Sequence, residues 1–144
     1  MRAPTRVAAG AAILLCAAAC TTTKKVVASF TANCRQVEPG VAHEMMRDNP
    51  TVLSLDVRHA DEYTSELPHV YRAREIPLSE LPRRWEELAG WKEAPLIVFS
   101  QDGSGAASAC DFLSRQGFRY VRWVVGGVEE WQKRRFLRGE ASGR

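Results

Sequence analysis

The chain has 144 residues, 45% hydrophobic and 26% charged, with 20 basic against 17 acidic side chains for a formal charge of +3. Enough apolar residues are present to build a core, which excludes a disordered polyelectrolyte. The basic groups at Arg72/Arg74, Arg83/Arg84 and Lys133/Arg134/Arg135 are spread along the chain, so they read as solvated surface and no nucleic-acid partner is expected.

In chain order, Arg2 and Arg6 precede an apolar run from Val7 to Ala19, ending in Ala17-Ala18-Ala19 before Cys20, the pattern of an export signal. The run is shorter than the roughly 20 residues a membrane span needs, so residues 1–19 are expected to be removed as a signal peptide. Small residues before a cysteine resemble a bacterial lipoprotein cleavage box, which implies a diacylglyceryl group on the Cys20 sulfur. Ala17 stands where that box usually has Leu, and the alternative is a soluble periplasmic protein. Thr21 is not Asp, and resemblance to Gram-negative lipoproteins then implies an outer-membrane anchor facing the periplasm. Removing 19 of the 144 residues leaves 125, enough for one domain and not for two. Residues 20–33, small and polar with Lys24 and Lys25, read as a tether to the membrane.

The domain is expected over 34–135, with 136–144 as a tail. A short strand at Arg35–Val37 precedes a helix from Pro39-Gly40 to about Arg47, and Asn49-Pro50 breaks the chain before an apolar strand over Val52–Val57. A short helix near Ala60–Glu66 and a brief strand near Ala73–Ile76 follow. Leu78, Leu81, Trp85 and Leu88 recur at helical spacing and predict an amphipathic helix against a sheet. Leu96–Phe99 reads as a strand, Ser104–Gln116 as a helix stopped by Gly117, Tyr120–Val125 as the last strand, and Val128–Arg134 as a final helix. This alternation predicts an α/β fold with a mostly parallel sheet covered on both faces, whose sites form at the carboxyl ends of strands.

The most informative stretch is Pro95–Ala109, where a strand ends in a small glycine-rich loop that opens into a helix. Backbone N–H groups and the positive end of the helix dipole would converge there on the side chain at the strand's end, which is Ser100. A cysteine in that setting would become a reactive thiolate, whereas a serine hydroxyl stays protonated unless a base removes its proton. No third member of a hydrolase triad is identifiable, although His69 could approach through the fold. With Cys16 in the signal and Cys20 lipidated, Cys34 and Cys110 remain. They could form one disulfide in an oxidising compartment if their Cα atoms lie close. Cys110 shares the spacing of Ala106, Ala109 and Leu113, and reads as a buried core cysteine. No cysteines or histidines have zinc-ligand spacing, so neither metal nor cofactor is expected.

Together these landmarks resemble the rhodanese-like domain family over about Cys34 to Arg135. Asp56-Val57-Arg58 with Glu62-Tyr63 is similar to that family's signature after the second strand. His69-Val70, Ala73 and Ile76-Pro77 are similar to its His-Ile-Pro-Gly-Ala and Ile-Pro residues, and Gly126-Gly127 with Trp131 to its closing Gly-Gly and Trp. Pro68, Tyr71 and Arg72 depart from the usual Gly, Pro and Gly, and two extra residues separate Tyr63 from His69. The resemblance implies a three-layer fold with a mostly parallel five-stranded sheet flanked by helices. It also implies an active loop over Ser100, Gln101, Asp102, Gly103, Ser104, Gly105 and Ala106, in which active members begin with a cysteine that accepts and passes on a sulfane sulfur. Here Ser100 holds that place and Asp102 adds a carboxylate that opposes anion entry. Asp56, Arg58, Glu62 and Tyr63 are expected to brace loops, and Trp131 and Trp85 to be core.

The expected function is that of a non-catalytic binding or regulatory module at the cell envelope, with an envelope protein or small ligand as partner. The alternatives are a sulfurtransferase using Cys34 or Cys110, and a Ser100 hydrolase.

Overall fold

A computed structural model of the protein describes residues 33–63, 67 and 69–134. The expected signal peptide, Cys20, nearly all of the tether and the tail lie outside these residues. Five strands alternate with helices: β1 (Cys34–Val37), α1 (Pro39–Asp48), β2 (Leu53–Asp56), α2 (Ala60–Tyr63), β3 (Arg74–Glu75), α3 (Leu81–Arg84), β4 (Pro95–Phe99), α4 (Ser104–Arg115), β5 (Tyr120–Val124) and α5 (Gly127–Lys133). All pairings are parallel, in the order β1-β5-β4-β2-β3.

The central position of β4 explains its unbroken apolar sequence. Successive side chains of a strand face opposite sides. Leu96 and Val98 join one core cluster with Leu55, Ala106, Ala109, Leu113 and Leu88, while Ile97 and Phe99 join the other with Ala42, Val124, Val128 and Trp131. A strand buried on both faces has no polar side to show. Complete burial of each of these four side chains stabilises by about 1.5–3 kcal/mol. Trp131 meets Phe99 edge-on at 4.9 Å between ring centroids, so the α5 tryptophan is a core residue.

The structure departs from the sequence expectation between Leu78 and Leu88. The predicted single helix is a short α3 followed by a 3-10 helix over Trp85–Trp91. Leu78 is not part of it: it lies in a turn, and its N–H donates to Val57 O at 3.1 Å, following Ile76 N–H to Asp56 O at 3.0 Å. Pro82 at the first helical turn fixes the later start. Leu81 and Leu88 are nevertheless both buried, as their spacing predicts. Of the helix expected over Ala60–Glu66, Thr64–Glu66 lie outside the described residues, and α2 is assigned to Tyr63.

The structure also decides the pairing that the sequence leaves open at Cys110. It is fully buried in the core, as expected, but it is not a free thiol: it is bonded to Cys34, with 5.5 Å between the Cα atoms. The sequence could not show this, because only the parallel pairing of β1 with β5 brings the first strand under α4. The bond ties an edge strand to the helix that leaves the active loop.

Candidate functional site

β4 delivers Ser100 to the carboxyl edge of the sheet, and the chain turns at once. Gly103 permits the turn with φ +96, where a Cβ would lie 3.0 Å from Val124 O and 3.1 Å from Gly126 N. The loop thereby curls over its own first side chain. Ser100 Oγ accepts hydrogen bonds from Gly103 N–H at 3.1 Å and Ala106 N–H at 3.0 Å, and the residue is buried. Gly105 passes close beside it, since a Cβ there would lie 3.3 Å from Ser100 Cβ.

The rear of the loop is held by α5. Val128 N–H donates to Ser100 O at 2.8 Å and Glu129 N–H to Gln101 O at 3.1 Å, so helix donors without an intrahelical partner are used to fix the loop's carbonyls. Gly126 and Gly127 have φ +71 and +57, and a Cβ on Gly127 would lie 2.6 Å from Gln101 O. The Gly-Gly pair is therefore required by close backbone approach. Gln101 Nε2 adds a bond to Glu129 Oε1 at 3.1 Å, while its buried Oε1 has no hydrogen-bond partner among the described residues.

Asp102 turns toward the helix start. Its carboxylate accepts from Ser104 Oγ at 2.7 Å and Ser104 N–H at 2.9 Å. The Ser104 hydroxyl, followed by its backbone N–H, holds the Asp102 carboxyl below the ordinary aspartate value. The first turn of α4 thus already has a carboxylate at its positive end.

The Asp56-Val57-Arg58 group braces the neighbouring loop. Arg58 Nε donates to both Asp56 oxygens at 3.1 and 3.0 Å and its Nη2 to Oδ2 at 2.8 Å, with both side chains fully buried. Arg58 Nη1 reaches Glu62 O at 3.3 Å and the guanidinium lies 5.3 Å from the Tyr63 ring centroid. Glu62 accepts from His59 N–H at 2.9 Å, and His69 packs against Tyr63 at 3.9 Å between ring centroids. Burial is the main cause raising the Tyr63 phenol above its ordinary value. Among the described residues, no imidazole or carboxylate hydrogen-bonds Ser100, and the Cys34–Cys110 disulfide leaves no free thiol to stand in for it.

Sequence reasoning placed the loop and the Gly-Gly pair but missed how they connect. The bonds from Val128 and Glu129 are made by backbone, which has no residue-type signature. The only available signal was two adjacent glycines immediately before a helix.

Residues 38–134 match the family described as Rhodanese, rhodanese-like domain. The chain belongs to the rhodanese-like domain family. It is 31% identical over 98 residues to the thiosulfate sulfurtransferase GlpE of Coxiella burnetii, covering 68% of this chain and 87% of that protein. A rhodanese-related protein from Thermoplasma volcanium superposes with a TM-score of 0.60 at 26% identity, over 69% of this chain and 92% of that one. The polysulfide-sulfur transferase homodimer of Wolinella succinogenes has the same fold, with a TM-score of 0.63 at 24% identity over 85% and 93% of the two chains. Within this rhodanese-like fold, the cradle of N–H donors is filled by a neutral hydroxyl belonging to the loop itself.

Proposed function

We propose that this protein is an exported, lipid-anchored rhodanese-like domain that does not transfer sulfur and acts as a binding or regulatory module at the cell envelope. One observation supports the loss of sulfur transfer above the others: Ser100 Oγ receives both Gly103 and Ala106 N–H. Those donors would stabilise a thiolate or persulfide, but an alcohol oxygen forms no comparable S–S bond and titrates far above a thiol. The disulfide supports export, because such bonds persist in oxidising compartments and are rare in the cytosol. Cys20 supplies the anchor and the tether the reach, leaving the domain to meet an envelope protein or small ligand on the periplasmic side.

The test is thiocyanate production from thiosulfate and cyanide. The wild-type protein is expected to match a blank, and Ser100→Cys to acquire a mass increase of about 32 Da on that residue after thiosulfate treatment, one sulfur atom. Turnover by the wild type would overturn the proposal. In the native host, Cys20→Ser is expected to abolish incorporation of labelled fatty acid and to release the protein from membranes; unchanged labelling would remove the anchor from the reading.

A further inference from the structure

A concavity lies at the opposite end of the sheet from the Ser100 loop. It has a volume of about 740 Å³ and crosses the amino ends of β2 and β4, with Met46 of α1, Trp131 of α5 and Trp91 of the 3-10 helix among its walls. Ligand cavities typically measure roughly 300–1,000 Å³ and combine apolar walls with few polar groups. Tyr71 and Arg72, in the loop before β3, also line this cleft.

Three features of this cleft point the same way. Among the described residues no aspartate or glutamate lines it, while His43, Arg47 and Arg72 do. Arg47 is committed to Asp48, 2.7 Å away, whereas Arg72 forms no ion pair among the described residues and only lies 5.7 Å from the Tyr71 ring centroid. Arg72 also has φ +58, a conformation that residues other than glycine seldom adopt, and Tyr71 beside it is 57% exposed. An exposed tyrosine next to a guanidinium with no ion pair among the described residues suits a ligand with an apolar body and an anionic end.

We propose that this cleft binds a small amphipathic anion, an aromatic or hydrocarbon body bearing a carboxylate or sulfonate, with Arg72 receiving the charge and Trp91 and Met46 the body. The protein's own tail is the competing occupant. It brings Phe136 and Leu137, but residues 135–144 carry three arginines, Arg135, Arg138 and Arg144, against one acid, Glu140, a net cation for a cleft whose described lining has no acids.

Two fluorescent probes of similar shape test this on the full chain: anilinonaphthalene sulfonate, which is anionic, and N-phenyl-1-naphthylamine, which is neutral. Arg72→Gln is expected to weaken the sulfonate about tenfold, the scale of a hydrogen bond to a charged group, and to change the neutral probe less than about twofold. Arg72→Lys should recover most of the sulfonate affinity, which separates lost charge from lost folding. Equal loss of both probes, or no change for either, would overturn the proposal. So would sulfonate binding that requires deletion of residues 135–144, which would make the tail the occupant.

Discussion

Breaking the Cys34–Cys110 bond is the perturbation with the largest calculable effect. The two cysteines are 76 residues apart in sequence. In the chain-entropy treatment, closing a loop of that length removes unfolded-state freedom worth about 4.5 kcal/mol at 25 °C. That is comparable to the whole stability of many domains, which lies around 5–15 kcal/mol. The folded state loses little in exchange, because Cys110 is fully buried among Ala106, Ala109 and Leu113 and an alanine would keep most of that packing. At roughly 4–8 °C per kcal/mol for a domain of this size, the melting temperature should fall by upwards of about 15 °C.

The assay is thermal unfolding followed by circular dichroism, with and without dithiothreitol, for the wild type and for a Cys34→Ala/Cys110→Ala double variant. Reductant should lower the wild-type midpoint to near that of the double variant and leave the variant unmoved. A non-reducing peptide map of the wild type should recover the two cysteine peptides linked. A reduced wild type melting within about 3 °C of the oxidised one would refute the entropic argument. Linked peptides combined with that result would locate the error in residual structure of the unfolded chain.

Gly127→Ala should destabilise by about 2–5 kcal/mol in urea unfolding, from the positive φ and the approach of Gln101 O to 2.6 Å. Gly40→Ala, at a helical glycine with nothing within 4 Å of an added Cβ, should instead be neutral or stabilising by up to about 1 kcal/mol; equal losses at both positions would contradict the close-approach reading. Asp102 has a folded-state carboxyl below its ordinary value of 3.8, so its contribution is complete above the unfolded value and disappears as pH falls through the folded one. The melting temperature of the wild type should therefore exceed that of Asp102→Ala at about pH 6 and converge with it near about pH 2. A gap that is constant across that range would show that the carboxylate charge is not what holds Ser104.

The five strands and the site loop were legible because each depends on local sequence. β4 reads as an apolar run since both its faces are covered, and Ser100 follows it directly. Leu81 and Leu88 showed their burial by spacing alone, even though the helix containing them changes from α to 3-10 at Trp85. What sequence reasoning left undecided or did not see is long-range. The β1–β5 pairing decides that Cys34 meets Cys110, and no local pattern encodes a partner 76 positions away. The cleft around Arg72 was equally hidden, because its walls come from four separate stretches and its distinguishing property, an absence of acids, exists only once they are assembled.

The cradle and the disulfide make one physical argument together. An empty ring of inward N–H groups would be costly unless an anion or water filled it. Here Ser100 Oγ satisfies Gly103 and Ala106, Asp102 satisfies Ser104, and the carbonyls of Ser100 and Gln101 are met by α5, so these donors and carbonyls are satisfied without a ligand, and Gln101 Oε1 is the loop's buried atom without a partner among the described residues. An incoming anion would have to displace the hydroxyl and then face the Asp102 carboxylate two residues along the chain. The disulfide meanwhile anchors α4, which begins at this loop, to the edge of the sheet. Self-satisfied donors and a tethered helix both favour a fixed loop, and a sulfur carrier needs the opposite: donors held open for a charge that arrives and leaves. In this chain Arg72, without an ion pair among the described residues, and the cleft beside it lie at the other end of the sheet, which is where the proposed ligand would gain its binding energy.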